Sequence, residues 1–89
     1  MMAEKLRLRV YTTERELLDR EVREVTAQGA LGQIGVLPDH AALVTALEPG
    51  VLSYRDGGTV VRLNLGRGFA EVRDNVMTVL ADSGEVITA

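Results

Sequence analysis

The sequence predicts an all-β domain, and three observations carry that prediction. Apolar residues recur with period two, as in Leu6, Leu8 and Val10 against Arg7, Arg9 and Tyr11. Clusters of Gly, Pro, Asp and Asn divide the alternating segments at short intervals. No stretch carries the pattern of a long amphipathic helix. Short alternating strands between such turns build a sandwich or a barrel.

Taken in order, Leu6–Val10 is a half-buried strand with its aliphatic side chains facing inward. Thr13–Leu18 reads as an extended connection; Thr13 and Glu16 stand at capping-box spacing, but the segment is too short for more than one helical turn. Val22, Val25 and Ala27 mark the next strand signal. Their parity shifts, so a bulge or a change of strand is expected at Arg23–Glu24. Gly29, Gly32 and Gly35 punctuate a turn-rich segment ending in Pro38. The apolar run Ala41–Leu47 reads as a short helix or a buried strand; its length and Val-Thr pair favour the strand, and Pro49-Gly50 closes it with a turn. Val51–Arg55 and Thr59–Leu65 flank Asp56-Gly57-Gly58, a hairpin signal. Phe69–Val72 and Val76–Ala81 flank Arg73-Asp74-Asn75, a second hairpin. The expected core includes Leu6, Leu8, Val10, Val61, Leu63 and Val79.

Composition bounds the function. The 89 residues make one small domain with a thin core, and a hydrophobic fraction of 46% is that of a folded chain. Tyr11, Tyr54 and Phe69 are the only aromatics, so the core is aliphatic. Without cysteine there is neither a disulfide framework nor a thiolate metal site. No apolar run approaches the roughly 20 residues of a membrane helix, and Met1–Lys5 lacks a signal-peptide core. The net charge of −3 and the interspersed signs argue against nucleic-acid binding.

The segment Gly32-Gln33-Ile34-Gly35-Val36-Leu37-Pro38-Asp39-His40-Ala41 resembles a Gly-x-aliphatic-Gly-x-x-Pro-x-His-Ala motif of the epsilon subunits of F-type ATP synthases, called delta in mitochondria. Leu43–Gly50, Gly68-Phe69-Ala70-Glu71-Val72 and Val79-Leu80-Ala81-Asp82 are similar to further family segments, in the same order and spacing from about Leu8 to Asp82. Arg67-Gly68 stands where the family usually has Gly-Gly, and Gln33 where an acid is frequent. The resemblance implies a flattened β-sandwich of about ten short strands in two sheets, occupying residues 1–82, with 83–89 as a short tail. It implies a non-catalytic central-stalk subunit that binds the gamma subunit and the c-ring, rotates with them, and supports assembly and the coupling of proton transport to ATP synthesis. No catalytic residue, cofactor or metal is expected, and the location is the cytoplasmic face of a cell membrane, peripheral and bacterial, with membrane contact only through the complex.

The resemblance also assigns the loop Ala30–His40 to the partner interface, with Leu31, Gln33 and His40 as its contacts. Glycines there let the backbone approach a partner closely. Most family members continue into a pair of C-terminal helices. Ser83–Ala89 is too short for a helix, which needs about 12–15 residues, and extended it spans only about 25 Å. This reading expects a chain without the ATPase brake of those helices, and one that neither binds nor hydrolyses ATP.

Sharper chemistries fare poorly. Gly29-x-x-Gly32-x-x-Gly35 lacks the strand, lysine and helix of a phosphate loop. His40 is the only histidine, too few for an ordinary zinc site, and no nucleophile elbow accompanies it. A hydrogen bond within its own turn and an interface role are its two open readings. Asp39, Glu48, Glu71 and Asp82 are acids that glycoside chemistry would need to pair across a cleft; solvated surface is the simpler reading. The strip Arg7, Arg9 and Tyr11 reads as plain surface. A free-standing β-sandwich recognition module for a peptide or sugar is the alternative function, disfavoured by three aromatics. A small hydrolase is the third and weakest.

Overall fold

The computed structural model describes residues 2–88. Its elements are β1 (Leu6–Thr12), β2 (Glu16–Val22), β3 (Glu24–Gly29), β4 (Gly32–Val36), β5 (Leu43–Leu47), β6 (Gly50–Asp56), β7 (Thr59–Leu65), β8 (Gly68–Arg73), β9 (Val76–Ala81) and β10 (Gly84–Thr88). The first sheet runs β4-β3-β6-β7-β10 and the second runs β5-β8-β9-β1-β2. They join where Gly29 of β3 pairs with Leu47 of β5. Pairing therefore passes through all ten strands, and the sandwich is nearly a closed barrel.

Period-two alternation decides what is buried. In β1 the inward Leu6, Leu8 and Val10 are buried, as are Val61, Leu63 and Leu65 of β7 and Met77, Val79 and Ala81 of β9. All six expected core residues lie inside. Val22, Val25, Leu52, Tyr54 and Val72 complete the contact between the sheets. Arg20 of β2 donates from Nη1 to the Tyr54 hydroxyl of β6 at 3.2 Å, a polar clasp across the side where the two sheets remain open.

Both expected hairpins form. Leu52 pairs with Leu63 in the first, and Ala70 with Val79 in the second. The second turns through Asp74 and Asn75, both at positive φ (52° and 62°). That is the backbone a tight two-residue hairpin demands, and Asp and Asn tolerate it better than other non-Gly residues. The parity shift at Arg23–Glu24 is a change of strand: β2 ends at Val22 in one sheet and β3 starts at Glu24 in the other.

Three expectations need correction. Gly29–Pro38 is not turn throughout, because Gly32–Val36 forms β4, antiparallel to β3. Thr13–Leu18 is not a connection throughout, because β2 begins at Glu16. The Thr12 hydroxyl accepts the backbone N–H groups of Glu14 and Arg15 at 3.2 and 3.3 Å, and Thr12 N–H donates to Arg15 O at 2.8 Å. The chain reverses within that turn, and Glu16 already pairs with Tyr11 across a bulge. The segment after Asp82 is not structureless either, since Gly84–Thr88 forms β10, antiparallel to β7. Seven residues are too few for a helix, but an existing sheet edge supplies the backbone partners that a short strand needs. Gly84 permits the fit: a Cβ there would lie 2.7 Å from Leu65 Cδ2 and 3.0 Å from Leu17 Cδ1.

Candidate functional site

Two surfaces of the sandwich carry features beyond stability. The first is the tip of the β3–β4 hairpin. Gly29 pairs with Gly32 and Gln28 with Gln33, so residues 30 and 31 form the turn between them. Gly32 sits at φ 127°, a conformation open to glycine and strained for other residues. Leu31 is 103% exposed, a large aliphatic side chain touching almost nothing of its own domain. Gln33 is exposed beside it.

His40 is not part of that tip. It follows the opposite end of β4, whose five residues Gly32–Val36 span about 13 Å at a strand's rise per residue. The His40 ring donates from Nδ1 to the Ala41 carbonyl oxygen at 2.7 Å, and its backbone N–H donates to Leu37 O at 3.2 Å. The imidazole thus closes its own turn. Asp39, at φ 62°, donates its N–H to Asn75 Oδ1 at 2.8 Å and accepts the Ala3 N–H on Oδ2 at 2.6 Å. Of the three expected contact residues, Leu31 and Gln33 come together and His40 stands apart.

The second surface is the outer face of the second sheet. Ala46 of β5 pairs with Phe69 of β8, Phe69 with Leu80 of β9, and Leu80 with Tyr11 of β1. These four residues form an apolar row across four neighbouring strands. Phe69 is 50% and Leu80 42% exposed, and Val44, beside the row, is 72% exposed. Contiguous exposed apolar residues are where partners dock, and this row makes the outer face a candidate for such contact. The next row carries charge: Val44, Glu71, Thr78, Arg9 and Asp19 in register. Arg7 Nε donates to Asp19 Oδ1 at 2.7 Å, which holds the Asp19 carboxyl below its ordinary pKa, chiefly through that hydrogen bond.

Sequence reasoning missed Phe69 and Leu80 as a pair and set Tyr11 aside as plain surface. A signal was present: both fall out of phase with the buried Ala70, Val72, Met77 and Val79 on their strands. Only the register, including the parallel pairing of β1 with β9, makes them neighbours.

Neither surface has the makings of a catalytic centre. Glu48 and Asp82 lie towards the hairpin-tip end, Asp39 lies at the other end and Glu71 on the outer face, all exposed, and no two of them face across a cleft. A cleft of about 460 Å³ between Pro49, Asn64, Gly66 and Ser83 has Glu85 as its single titratable lining residue. Among the described residues no group of three or more His, Asp or Glu is placed to hold a metal ion, and no helix is long and apolar enough to cross a membrane.

Comparison with known proteins gives this geometry a family. The model for the β-sandwich domain of ATP synthase delta/epsilon chains matches residues 5–87. The ATP synthase epsilon chain of Geobacter sulfurreducens is 45% identical over 84 residues, covering 94% of this chain and 61% of the relative. That of Geotalea daltonii is equally similar, at 45% over the same coverage. The chain thus spans about three fifths (61%) of the length of the curated relatives it matches. Among solved structures, a chain of the Euglena gracilis mitochondrial ATP synthase, resolved as OSCP, F1 and c-ring, superposes with a TM-score of 0.90 at 25% identity over 97% of this chain and 56% of its own length. A chain of the Tetrahymena thermophila mitochondrial ATP synthase central stalk and c-ring shares the fold, with a TM-score of 0.79 at 17% identity, covering 96% of this chain and 69% of that one. Sequence and fold agree over nearly the whole chain, and it belongs to the β-sandwich domain family of ATP synthase delta and epsilon chains.

Proposed function

We propose that this chain is the sandwich of a non-catalytic central-stalk subunit of an F-type ATP synthase. It links the gamma subunit to the c-ring and supports assembly and the coupling of proton transport to ATP synthesis. The observation that supports the reading is two separate exposed features on one family fold, an apolar row on a flank and a hairpin tip at one end. The apolar row Ala46-Phe69-Leu80-Tyr11 offers a flat flank suited to a long neighbouring subunit, the gamma subunit. The β3–β4 tip, with Leu31 and Gln33 exposed at one end of the sandwich, suits the polar loops of the c-ring. His40 closes the turn that precedes β5. The domain sits peripherally on the cytoplasmic side of a bacterial membrane, held there by its partners. Similarity to bacterial epsilon chains supports this placement.

The test is co-purification with the gamma subunit, followed by reconstitution with the c-ring. Retention of the wild-type chain, and weakened retention of Phe69→Ala, supports the reading. A recognition module for a peptide or sugar would instead leave the chain unbound to either subunit. That alternative also lacks aromatics, since Tyr54 is buried in the core and unavailable to a ligand.

A further inference from the structure

On β1 two arginines compete for one carboxylate. Arg7 Nε takes Asp19 Oδ1 at 2.7 Å, while Arg9 Nε stands 3.7 Å from the same oxygen. The longer distance is outside hydrogen-bond reach. Arg9 Nε is buried and has no hydrogen-bond partner among the described residues, yet its side chain as a whole is 44% exposed. Buried donors are rarely left unpaired in folded proteins. On the other side of Arg9 the register places Thr78, and Glu71 lies one strand further, about 10 Å from β1 by the spacing of strands. On β2, Glu21 pairs with Arg7 and Glu16 with Tyr11, on either side of Asp19, and among the described residues neither makes a hydrogen bond or ion pair with Arg9. The residue also borders Tyr11 and Leu80 of the apolar row.

We propose that Arg9 is the polar anchor of this docking face and takes a carboxylate of the gamma subunit. The inference rests on the reading of the face as gamma's dock and adds the chemistry that selects the partner. Contact with the apolar row excludes water from the neighbourhood of Arg9. A guanidinium in such a place gains most from a charged, two-oxygen acceptor, which it engages through two parallel hydrogen bonds. Asp19 stays committed to Arg7 throughout. Arg9 then becomes a specificity-determining residue: a partner without an acid at the matching position leaves the donor unpaired in a dry interface.

The experiment measures the affinity of the chain for its gamma subunit at ~0.05 M and ~0.3 M ionic strength. Variants are Arg9→Gln, Arg9→Lys, Phe69→Ala and, on the opposite sheet, Arg62→Gln, each with its melting temperature recorded. Arg9→Gln is expected to weaken binding by about tenfold or more and to flatten its salt dependence, with Arg9→Lys between it and the wild type. Arg62→Gln is expected to bind as the wild type does. If Phe69→Ala weakens binding and Arg9→Gln does not, the face docks gamma but Arg9 is no anchor. If Arg9→Gln weakens binding without changing the salt dependence, the acceptor is neutral and the carboxylate is wrong. If neither variant weakens binding, the docking face itself is misassigned. Should Arg9→Gln melt early, charge reversal decides: Arg9→Glu must abolish binding, and lysine in place of the matching gamma acid must restore it.

Discussion

Asn75 holds Asp39 in place: its Oδ1 accepts the Asp39 backbone N–H at 2.8 Å, across a gap of 36 residues in sequence. The same side chain donates from Nδ2 to Lys5 O at 2.8 Å, and the Asn75 carbonyl accepts the Arg7 N–H at 3.1 Å. One hairpin turn thereby ties the N-terminal approach to β1 and the loop after β4 to the β8–β9 hairpin. Asn75→Ala should lower stability by about 1–3 kcal/mol, since it loses both side-chain bonds and strains a residue at φ 62°. Asn75→Gly keeps the turn and loses only the bonds, so it should fall between. Denaturant titration of the three proteins checks the order.

Leu63→Ala should cost about 2–5 kcal/mol, a large share of a small domain's stability. Leu63 is fully buried at the middle of β7, between Leu52 and Val86 in register. Chemical denaturation is the measurement. A loss below ~1 kcal/mol would show that the sandwich closes over the cavity.

Gly68 pairs with both Leu47 and Ala81. A Cβ there would run into the Leu80 carbonyl oxygen and the Ala81 Cα. Those atoms are backbone of a central strand and cannot swing aside. Gly68→Ala should therefore destabilise the domain by about 1–3 kcal/mol and should weaken gamma binding too, because it shifts Phe69 and Leu80. Comparing the melting temperature with the gamma affinity of the folded fraction separates the two effects.

Acid should remove the contribution of Asp19 to stability. Its folded pKa lies below the ordinary 3.8, first through the Arg7 hydrogen bond. The contribution is complete above the unfolded value and vanishes as pH falls through the lower folded one. The melting temperatures of the wild type and Asp19→Asn should differ at neutral pH and converge in acid, once the pH has fallen through the lowered folded pKa. The group is solvent-accessible, so the difference should also shrink in high salt.

At the other end of the sandwich, a cysteine at Gln33 should cross-link to a cysteine in the polar loop of the c subunit, while one at Asp74 should not. Gln33 carries no charge, so the efficiency should change little with ionic strength. Cross-linking from Asp74 in preference to Gln33 would invert the proposed orientation.

Much of this architecture was written in local pattern. The alternation in β1 and β7, the Gly57-Gly58 turn and the positive-φ pair Asp74-Asn75 are signals contained within a few residues. β10 was not legible, because Gly84–Thr88 is ordered by the edge of β7 and not by its own sequence. Of the β3–β4 tip, Gly29 and Gly32 marked the turn, but Gly35 read as a further turn where β4 runs straight through, paired with β3. His40 was grouped with that tip because the resemblance took Ala30–His40 as one loop; β4 runs through that segment and carries His40 to the opposite end. The row of Phe69, Leu80 and Tyr11 depends on register between distant segments, and the unpaired Arg9 depends on which arginine reaches Asp19 first. Neither can be read before the strands are aligned.

The parallel pairing of β1 with β9 has a consequence for how the chain is made. Arg7 meets Val76 and Thr12 meets Ala81, so β1 waits for a strand some 69 residues downstream. Until that strand leaves the ribosome, β1 has only the β2 hairpin to hold it, and an isolated hairpin is marginal in water. At about 5–20 residues per second the interval lasts on the order of several seconds. During it, Leu6, Leu8 and Val10 are an uncovered aliphatic stripe. Such a delay favours slow, late folding dominated by contacts distant in sequence. It also leaves the nascent β1–β2 hairpin open to capture by a chaperone.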